Sequence, residues 1–291
     1  MNHHFLSNIE KKYSHFSKGQ KRIADFIENH YDKAAFMTAS KLGMTVGVSE
    51  STVVRFATEV GYDGYPMLQK AMQEMIRNKL TSVQRIEVAC DQIGQSDVLD
   101  SVLSLDIEKI RRTMEETSKK DFYEAVDAIC AAKRIYIVAA RSSAPLAAFL
   151  GYYFNLIFEN VMVINAVSES EVFERLLRVG KGDTVIGISF PRYSSTVAKA
   201  LRLASDRTAH VVSITDSTVS PIAQFCSNLL LARSDMVSIV DSLVAPMSLV
   251  NALIVATALK KKEEISNLFG QLEDIWDQYA VYAKVEENPE S

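Results

Sequence analysis

The sequence predicts an α plus α/β fold, in which a small all-helical domain precedes a doubly wound parallel-sheet domain. Two observations predict it. Apolar residues recur at helical spacing through about the first 78 residues. From about residue 107, short runs rich in Val, Ile and Leu alternate with helix-length segments, which is typical of a parallel sheet covered on both faces. At 291 residues, with 48% hydrophobic and 23% charged residues, the chain is long enough for about two folded domains.

Helices are predicted on both sides of residues 38–60. Ser17 and Gly19 precede one apolar stripe, and Pro66, a residue favoured in the first turn, opens another. The two stripes are Ile23, Phe26, Ile27 and Tyr31, and then Leu68, Met72, Met75 and Ile76. These helices would close a small domain over residues 1–78.

Residues 38–60, TASKLGMTVGVSESTVVRFATEV, are typical of two short helices joined by a tight turn. Ser49 is predicted to cap the second helix, with its hydroxyl on a free amide of the first turn, and Glu50 suits the positive end of the helix dipole. Gly47 can adopt positive φ in the turn, and Gly43 lets the two helices cross closely because it has no Cβ. The pattern favours a helix-turn-helix.

The second of these helices has an apolar stripe and a polar outer face. Its predicted core residues are Val53, Phe56, Ala57 and Val60. The candidate DNA contacts are Ser49, Glu50, Ser51, Thr52 and Arg55. An ordinary helical hairpin is the alternative. The first 80 residues hold 11 basic and 8 acidic side chains, a net charge of +3 against −4 for the whole chain, which favours DNA binding at this end.

The α/β half is predicted from five strands and the helical patterns between them. Helices are expected over residues 107–117 and 122–131, and strands over residues 134–140, 161–164, 185–189, 210–215 and 228–231. A tight turn at Gly182 leads into the third strand, and Ser220-Pro221 is expected to start a helix after the fourth. A last helical segment, carrying Trp276, extends to about Ala283. The predicted domains are residues 1–78, a connector at 79–106, an α/β domain at 107–262, and a C-terminal helix and tail at 263–291.

The sequence favours a cytoplasmic protein without a membrane partner. Its longest uncharged run, residues 243–259, is 17 residues long and contains Pro246, Asn251 and Thr257, which favours a buried or interface helix over a bilayer span. The N-terminus lacks the apolar core of a secretory signal. The three cysteines, Cys90, Cys130 and Cys226, are far apart and lack metal-ligand spacing, so we expect packed reduced thiols, no disulfide, no metal and no cofactor.

Hydroxyl groups and arginines follow the first and third predicted strands, and each cluster directly precedes a helix. The residues are Arg141, Ser142 and Ser143 in the first loop, and Ser189, Arg192, Ser194 and Thr196 in the second. Hydroxyls, helix N-terminal amides and guanidinium groups all bind phosphate oxygens. Because ligands bind at the carboxyl ends of parallel strands, we predict one anion site formed by both loops. Helix capping by the same serines is the alternative.

These motifs together resemble one family. GVSESTVVRF followed by GYDGY is similar to the helix-turn-helix of RpiR family bacterial transcription regulators. RIYIVAARSSAPLA, GDTVIGISFPRYSSTV and ITDSTVSPIA resemble the sugar isomerase (SIS) domain that these regulators carry. The resemblance covers nearly the whole chain. It implies a dimeric or tetrameric DNA-binding regulator whose SIS domain senses a phosphorylated sugar or related metabolite.

The resemblance also implies which residues contact phosphate. The family's serine in the first loop falls on Ser143, and its serine and threonine in the second fall on Ser189 and Ser194. The sequence departs from the family pattern at Ala139-Ala140-Arg141, where the loop is usually glycine-rich, and at Pro191-Arg192, where Ser-Gly is usual. The two added arginines indicate either a more anionic ligand, such as a sugar acid phosphate, or a salt bridge within an altered site.

Three functions remain open from the sequence. The leading one is a ligand-responsive regulator that binds double-stranded DNA at a palindromic operator and carries no catalytic activity. A sugar-phosphate isomerase would need an acid or a base aimed at the sugar, and Glu169 and Glu171 are the only acids that we can place near the site. Solvation at a helix N-terminus is the simpler interpretation of both, and His210 is expected to be structural. An adaptor that binds sugar phosphate and regulates another protein is the third.

Overall fold

The computed structural model describes residues 9–76, 83, 86, 97–166, 168–234 and 240–282. The chain forms two compact units. The first extends to Glu108 and includes Pro191–Tyr193 and the segment ending at Ser242, and the second holds Lys109–Phe190, Ser194–Ser234 and the chain from Leu243.

The first unit is built from helices around a small apolar core. They are α1 (Lys18–Asn29), α2 (Tyr31–Ala34), α3 (Ala39–Val46), α4 (Glu50–Val60) and α5 (Tyr65–Ile76). Ser17, which precedes the predicted stripe, caps α1 through a reciprocal capping box with Gln20. Val53, Phe56, Ala57 and Val60 are the buried residues of α4, as predicted. Leu68 and Met72 of α5 are buried with them, whereas the side chains of Met75 and Ile76 lie outside the described residues.

The turn between α3 and α4 depends on two glycines. Gly47 ends α3 in the left-handed region with φ of 70°, as predicted, and Val48 N donates to Gly43 O at 2.8 Å. A Cβ built on Gly43 would lie 2.8 Å from the carbonyl oxygen of Val48. The close approach at Gly43 is therefore to the backbone of the turn.

The predicted cap of α4 is wrong in one respect. The helix begins after Ser49 as expected, but the Ser49 side chain makes no hydrogen bond to an amide of the first turn. Its Oγ instead lies 2.8 Å from Thr52 Oγ1 and 3.0 Å from Ser51 Oγ. The neighbouring hydroxyls thus compete successfully with the backbone amide for this side chain.

The second unit contains a five-stranded parallel sheet. Its strands are β1 (Ile135–Ala139), β2 (Val161–Asn165), β3 (Thr184–Ile188), β4 (His210–Thr215) and β5 (Asn228–Leu231), in the order β2-β1-β3-β4-β5. The helices are α6 (Val98–Glu116), which continues from the first unit, α7 (Lys119–Ala131), α8 (Ala144–Ile157), α9 (Glu169–Arg175), α10 (Ser195–Asp206), α11 (Val244–Lys260) and α12 (Lys262–Gln278). All five predicted strands are present.

Helices cover both faces of the sheet. Alternate residues of β1 point to opposite sides: Ile135 and Ile137 join a core with α7, α8 and α11, and Tyr136 and Val138 join a core with α9 and α10. This arrangement explains why β1 and β3 are buried along their whole length and read as continuous apolar runs. The doubly wound fold class is confirmed.

Three predicted helix bounds need correction. The helix expected from Ile107 begins at Val98, and the last helix ends at Gln278 rather than near Ala283, which lies outside the described residues. After Ser220-Pro221 the chain forms only a 3-10 turn, Ala223–Phe225, because β5 already starts at Asn228 and leaves no room for a crossover helix. Ser220 Oγ instead accepts from Ile222 N at 3.4 Å.

The uncharged run forms α11, which buries Leu249, Val250 and Leu253 among other residues. Among the described helices none is by itself long and apolar enough to cross a bilayer. The pair α11 and α12 passes that test only together, and it bends by 99° between the two helices.

Cys130 and Cys226 are free and half-buried. Burial raises the pKa of both thiols, which keeps them protonated and unreactive. Cys90 lies outside the described residues.

We predict that Gly43→Ala loosens the helix-turn-helix. The added Cβ would press on the carbonyl oxygen of Val48, and such overpacking costs about 1–3 kcal/mol, more than the roughly 1 kcal/mol that alanine gains in a helix. Hydrogen exchange of the amides in α3 and α4 of the full chain measures the change. Gly270→Ala in α12 is the control, because no described atom lies within 4 Å of a Cβ built there, and it should stabilise its helix. Unchanged protection of α3 and α4 in Gly43→Ala would contradict the prediction.

Candidate functional site

The outer face of α4 carries most of the predicted DNA contacts in exposed positions. Ser49, Glu50, Ser51 and Arg55 are exposed, whereas Thr52 is half-buried. The Nε of Arg55 donates to Ser51 O at 3.3 Å, so the arginine lies along the helix surface. The geometry leaves its guanidinium free to turn outward toward a groove.

Two further residues share this face, and the sequence analysis did not select them. Val54 is 40% exposed, and Thr58, one turn later, is exposed with its hydroxyl donating to Val54 O at 3.4 Å. An exposed valine suits contact with a thymine methyl group. The available signal was spacing, since both residues follow Ser51 at helical intervals.

A positive side chain also lies beside the turn. Arg22 of α1 places its Nη1 3.1 Å from the position that a Cβ on Gly47 would occupy. Arg22 is exposed, and guanidinium groups pair well with phosphate. A residue from α1 thus adds to the charge next to α4, which the motif alone did not indicate.

In the second unit, the two predicted ligand loops leave neighbouring strands at the same edge of the sheet. Ala139 and Ile188, the last residues of β1 and β3, are partners in the parallel register. After β1 comes a 3-10 turn, Arg141–Ser143, and then α8, while Ser194 caps the start of α10. The strand order reverses between β1 and β3, where ligands bind in such sheets.

The serines in these loops differ in how deeply they are buried. Ser143 and Ser189 are each only 3% exposed, and Ser194 is half-buried. Ser194 Oγ accepts from Val197 N at 3.4 Å, so the capping interpretation applies to this residue. Ser143 makes no such cap on α8, and Ser189 Oγ accepts from Ser194 N at 3.3 Å. Capping therefore accounts for one of the three serines.

The other predicted ligand residues lie in more open positions. Arg141 and Ser142 are exposed at the end of β1, and Thr196 is half-buried in the first turn of α10. Arg141 has φ of 55°, a left-handed conformation that glycine adopts more easily. Arg192 is exposed and belongs, with its two neighbours, to the first unit.

A buried polar group at the end of β4 supports the second loop. Thr215 Oγ1 donates to Ser189 O at 2.8 Å and lies 2.8 Å from Ser220 Oγ. Thr215, Asp216 and Ser220 are all at most 3% exposed. The sequence analysis missed these residues, because a threonine in an apolar strand carries no sign of its partner 26 residues earlier.

Glu169, Glu171 and His210, the residues considered for catalysis, each contact another protein side chain. Glu169 pairs with Lys199 at 2.8 Å and Glu171 pairs with Arg175 at 2.9 Å, both on the surface in the first turn of α9. His210 starts β4, at the opposite edge of the sheet, with its Nε2 2.7 Å from Asn228 Oδ1. The contacts of Glu169 and Glu171 are typical of solvated residues at a helix N-terminus, and the contact of His210 is typical of a structural histidine.

Comparison with known proteins gives two family matches in the order of the two units. A model for the helix-turn-helix domain, rpiR family, matches residues 3–79, and one for the SIS domain matches residues 128–256. The HTH-type transcriptional regulator HexR of Escherichia coli K12 is 25% identical over 226 residues, which is 75% of this chain and 74% of HexR. The uncharacterized regulator YfhH of the same organism is 24% identical over 237 residues, 77% of this chain and 80% of YfhH.

Solved structures show the same fold. The sugar isomerase domain of an RpiR transcription factor from Sphaerobacter thermophilus has a TM-score of 0.58 at 28% identity, covering 61% of this chain and 98% of that one. The Vibrio vulnificus NanR protein, complexed with ManNAc-6P, has a TM-score of 0.59 at 20% identity, covering 96% of this chain and 100% of that one. Since both family matches occur in one chain and in this order, the protein belongs to the rpiR family of helix-turn-helix transcription regulators with a SIS domain.

Proposed function

We propose that this protein regulates transcription by binding operator DNA through α4 and sensing a phosphorylated sugar or sugar acid at the loops after β1 and β3. The observation that carries the proposal is the pair of buried serines, Ser143 and Ser189, at neighbouring strand ends in a chain that also carries an exposed helix-turn-helix. Serine hydroxyls donate well to phosphate oxygens, and Ser189 Oγ can do so while it accepts from Ser194 N.

The DNA-binding part of the proposal rests on exposure and charge. Ser51, Val54 and Arg55 lie on the exposed face of α4, and this set can both read base edges and contact phosphate. The net charge of +3 in the first 80 residues attracts DNA there, although the chain as a whole carries −4. Specific contacts and dimerisation are therefore needed for tight binding.

The effector is proposed to be more anionic than a neutral sugar phosphate. Arg141 is exposed beside Ser143, and Arg192 is exposed in the stretch between Ser189 and Ser194. A charged hydrogen bond contributes roughly 1.5–3 kcal/mol against about 1 for a neutral one, so a second anionic group would gain most from a guanidinium. NanR, a structural neighbour, is complexed with ManNAc-6P, which is a ligand of the phosphorylated-sugar class.

We infer that the protein is not an enzyme. An isomerase needs a free acid or base next to the sugar, and Glu169 and Glu171 are both occupied in surface ion pairs. We propose the domain bounds 1–78, 79–106, 107–262 and 263–291 and a cytoplasmic location. A sugar-phosphate isomerase or related SIS enzyme is the alternative function, and an adaptor is the third. A gel shift with the protein's own upstream DNA tests the adaptor alternative, because an adaptor would not retard it.

We predict that Arg55→Ala weakens operator binding by about 1–3 kcal/mol without changing stability, because it removes an exposed contact. Titration of labelled operator, followed by fluorescence anisotropy, gives the affinity. Arg202→Ala, which removes an exposed arginine from α10, should leave the affinity unchanged.

Phe56→Ala tests the buried face of the same helix, α4. It should destabilise the protein by roughly 3–5 kcal/mol, since Phe56 is fully buried. Equal loss of stability in Arg55→Ala and Phe56→Ala, with no separate effect of Arg55→Ala on DNA, would show that the faces of α4 are assigned wrongly.

We predict that Ser143→Ala abolishes the response to the effector but leaves operator affinity unchanged in its absence. The serine is buried and does not cap α8, so its loss should remove a ligand contact at little cost in stability. Thermal shift against a panel of sugar phosphates and sugar acids first identifies the ligand, which stabilises by about 2.7 kcal/mol at 100 times its Kd.

Ser194→Ala needs a capping control, because Ser194 also accepts from Val197 N. Ser118→Ala removes a similar cap from α7, where Asp121 N donates to Ser118 Oγ at 3.2 Å. Only Ser194→Ala should weaken the ligand response, and Arg192→Ala should weaken it further than the loss of one hydroxyl. An effector response with unchanged half-saturation in Ser143→Ala and Ser194→Ala combined would reduce the serines to structural residues.

We predict at least a homodimer, as the resemblance to dimeric or tetrameric regulators implies. One helix-turn-helix reads about one half-site. The apolar side chains of Val255 and Leu259 in α11 are exposed, and a second copy of the chain could cover them. The operator should then be palindromic. A monomer by light scattering at micromolar concentration that still binds a single asymmetric site would refute the prediction.

A further inference from the structure

A continuous series of hydrogen bonds leaves the loop after β3 and crosses the sheet edge. Ser194 N donates to Ser189 Oγ at 3.3 Å, and Thr215 Oγ1 of β4 donates to Ser189 O at 2.8 Å. At the end of β5, Ala232 N donates to Thr215 O at 2.8 Å. The backbone and hydroxyl groups of three successive strand ends are thereby linked.

The same series continues into α6. Arg233 N donates to Thr113 Oγ1 at 2.9 Å. Thr117 Oγ1 shares its hydrogen between Thr113 O at 2.6 Å and Leu231 O at 2.7 Å. Glu116, between them, forms an ion pair with Arg233. The end of β5 is therefore held by α6 on both sides of Ala232.

The contacts between the end of α6 and the chain at the end of β5 are polar. Thr113 and Glu116 lie in the last turn of α6 and Thr117 follows it directly, and these residues hold Leu231 and Arg233 by polar contacts. Thr113 is 7% exposed, and Thr215 and Ala232 are at most 1% exposed. Breaking one of these buried bonds leaves an unpaired polar group, so movement at one point favours rearrangement of the next.

We propose that Thr215, Thr113 and Thr117 are positioning residues that couple the loop after β3 to α6, the helix through which the chain passes from the first unit to the second. A phosphate oxygen at this loop competes with Ser189 Oγ for the N–H of Ser194, and the resulting shift of Ser189 reaches α6 through Thr215 and Ala232. The regulatory meaning rests on the proposed function, because the effector is placed at Ser189. The coupling itself is a property of the free protein.

Hydrogen exchange of the full chain without DNA or effector tests the coupling. Thr215→Val removes the hydroxyl and keeps the shape of the side chain. We expect the amide of Arg233 and the last turn of α6 to exchange about fivefold faster relative to β1, the change that corresponds to one neutral hydrogen bond.

Thr184→Val is the matched control. Thr184 is 1% exposed, and its Oγ1 donates to Ala128 O at 3.1 Å from the first residue of β3, at the opposite edge of the sheet. Thr184→Val removes a hydroxyl-to-carbonyl hydrogen bond of the same kind, and Thr184 is not part of the series that links Ser189 to α6. Exchange at Arg233 and in α6 should then change no more than exchange in β1.

Thr113→Val tests the series from its other end and keeps the proposal open to refutation if Thr215→Val does not fold. It should increase exchange in the loop of residues 189–196. The proposal is overturned if Thr113→Val leaves that loop unchanged, or if a folded Thr215→Val raises exchange evenly across the sheet, as Thr184→Val would. Failure of the proposed function would show instead in the operator and effector assays, which these measurements do not use.

Discussion

The position of the candidate effector site depends on one constraint, the parallel pairing of β1 with β3. Their last residues, Ala139 and Ile188, are register partners, so the loops that follow begin side by side. A shift of register by one residue would exchange the two faces of β3 and move Ile186 out of its core. The packing that fixes the register therefore also fixes how far apart Ser143 and Ser189 lie.

Two glycines let α8 and α10 approach the sheet closely, and this approach positions the loops that precede these helices. A Cβ on Gly187 of β3 would lie 2.4 Å from Leu201 Cδ1 of α10, and a Cβ on Gly151 of α8 would lie 2.2 Å from Val163 Cγ2 of β2. Since α8 and α10 are the helices that start at the two loops, their depth on the sheet sets where Ser143 and Ser194 are placed. Small residues far from the site thus determine its geometry.

The elements of the fold follow from local patterns, whereas the contacts that join them do not. All five strands were predictable because each is a short Val, Ile and Leu run. The start of α6 was not, because the segment before residue 107 mixes polar with apolar residues and was interpreted as a connector. The bond from Thr215 to Ser189 and that from Arg233 to Thr113 span 26 and 120 residues. No periodicity in one sequence indicates such pairs, which is why the sequence analysis selected the serines as candidates but missed the residues that contact their loop.

At Arg141 the backbone conformation favours glycine, whereas the proposed function favours a positive charge. A residue other than glycine in the left-handed region costs roughly 1–2 kcal/mol, and Arg141 sits there with φ of 55°. Its side chain is exposed, so burial of the arginine does not offset that cost. Glycine would adopt the same turn without strain. We therefore attribute the arginine to its charge rather than to the fold, since Arg141 lies at the end of β1, next to the proposed anion site.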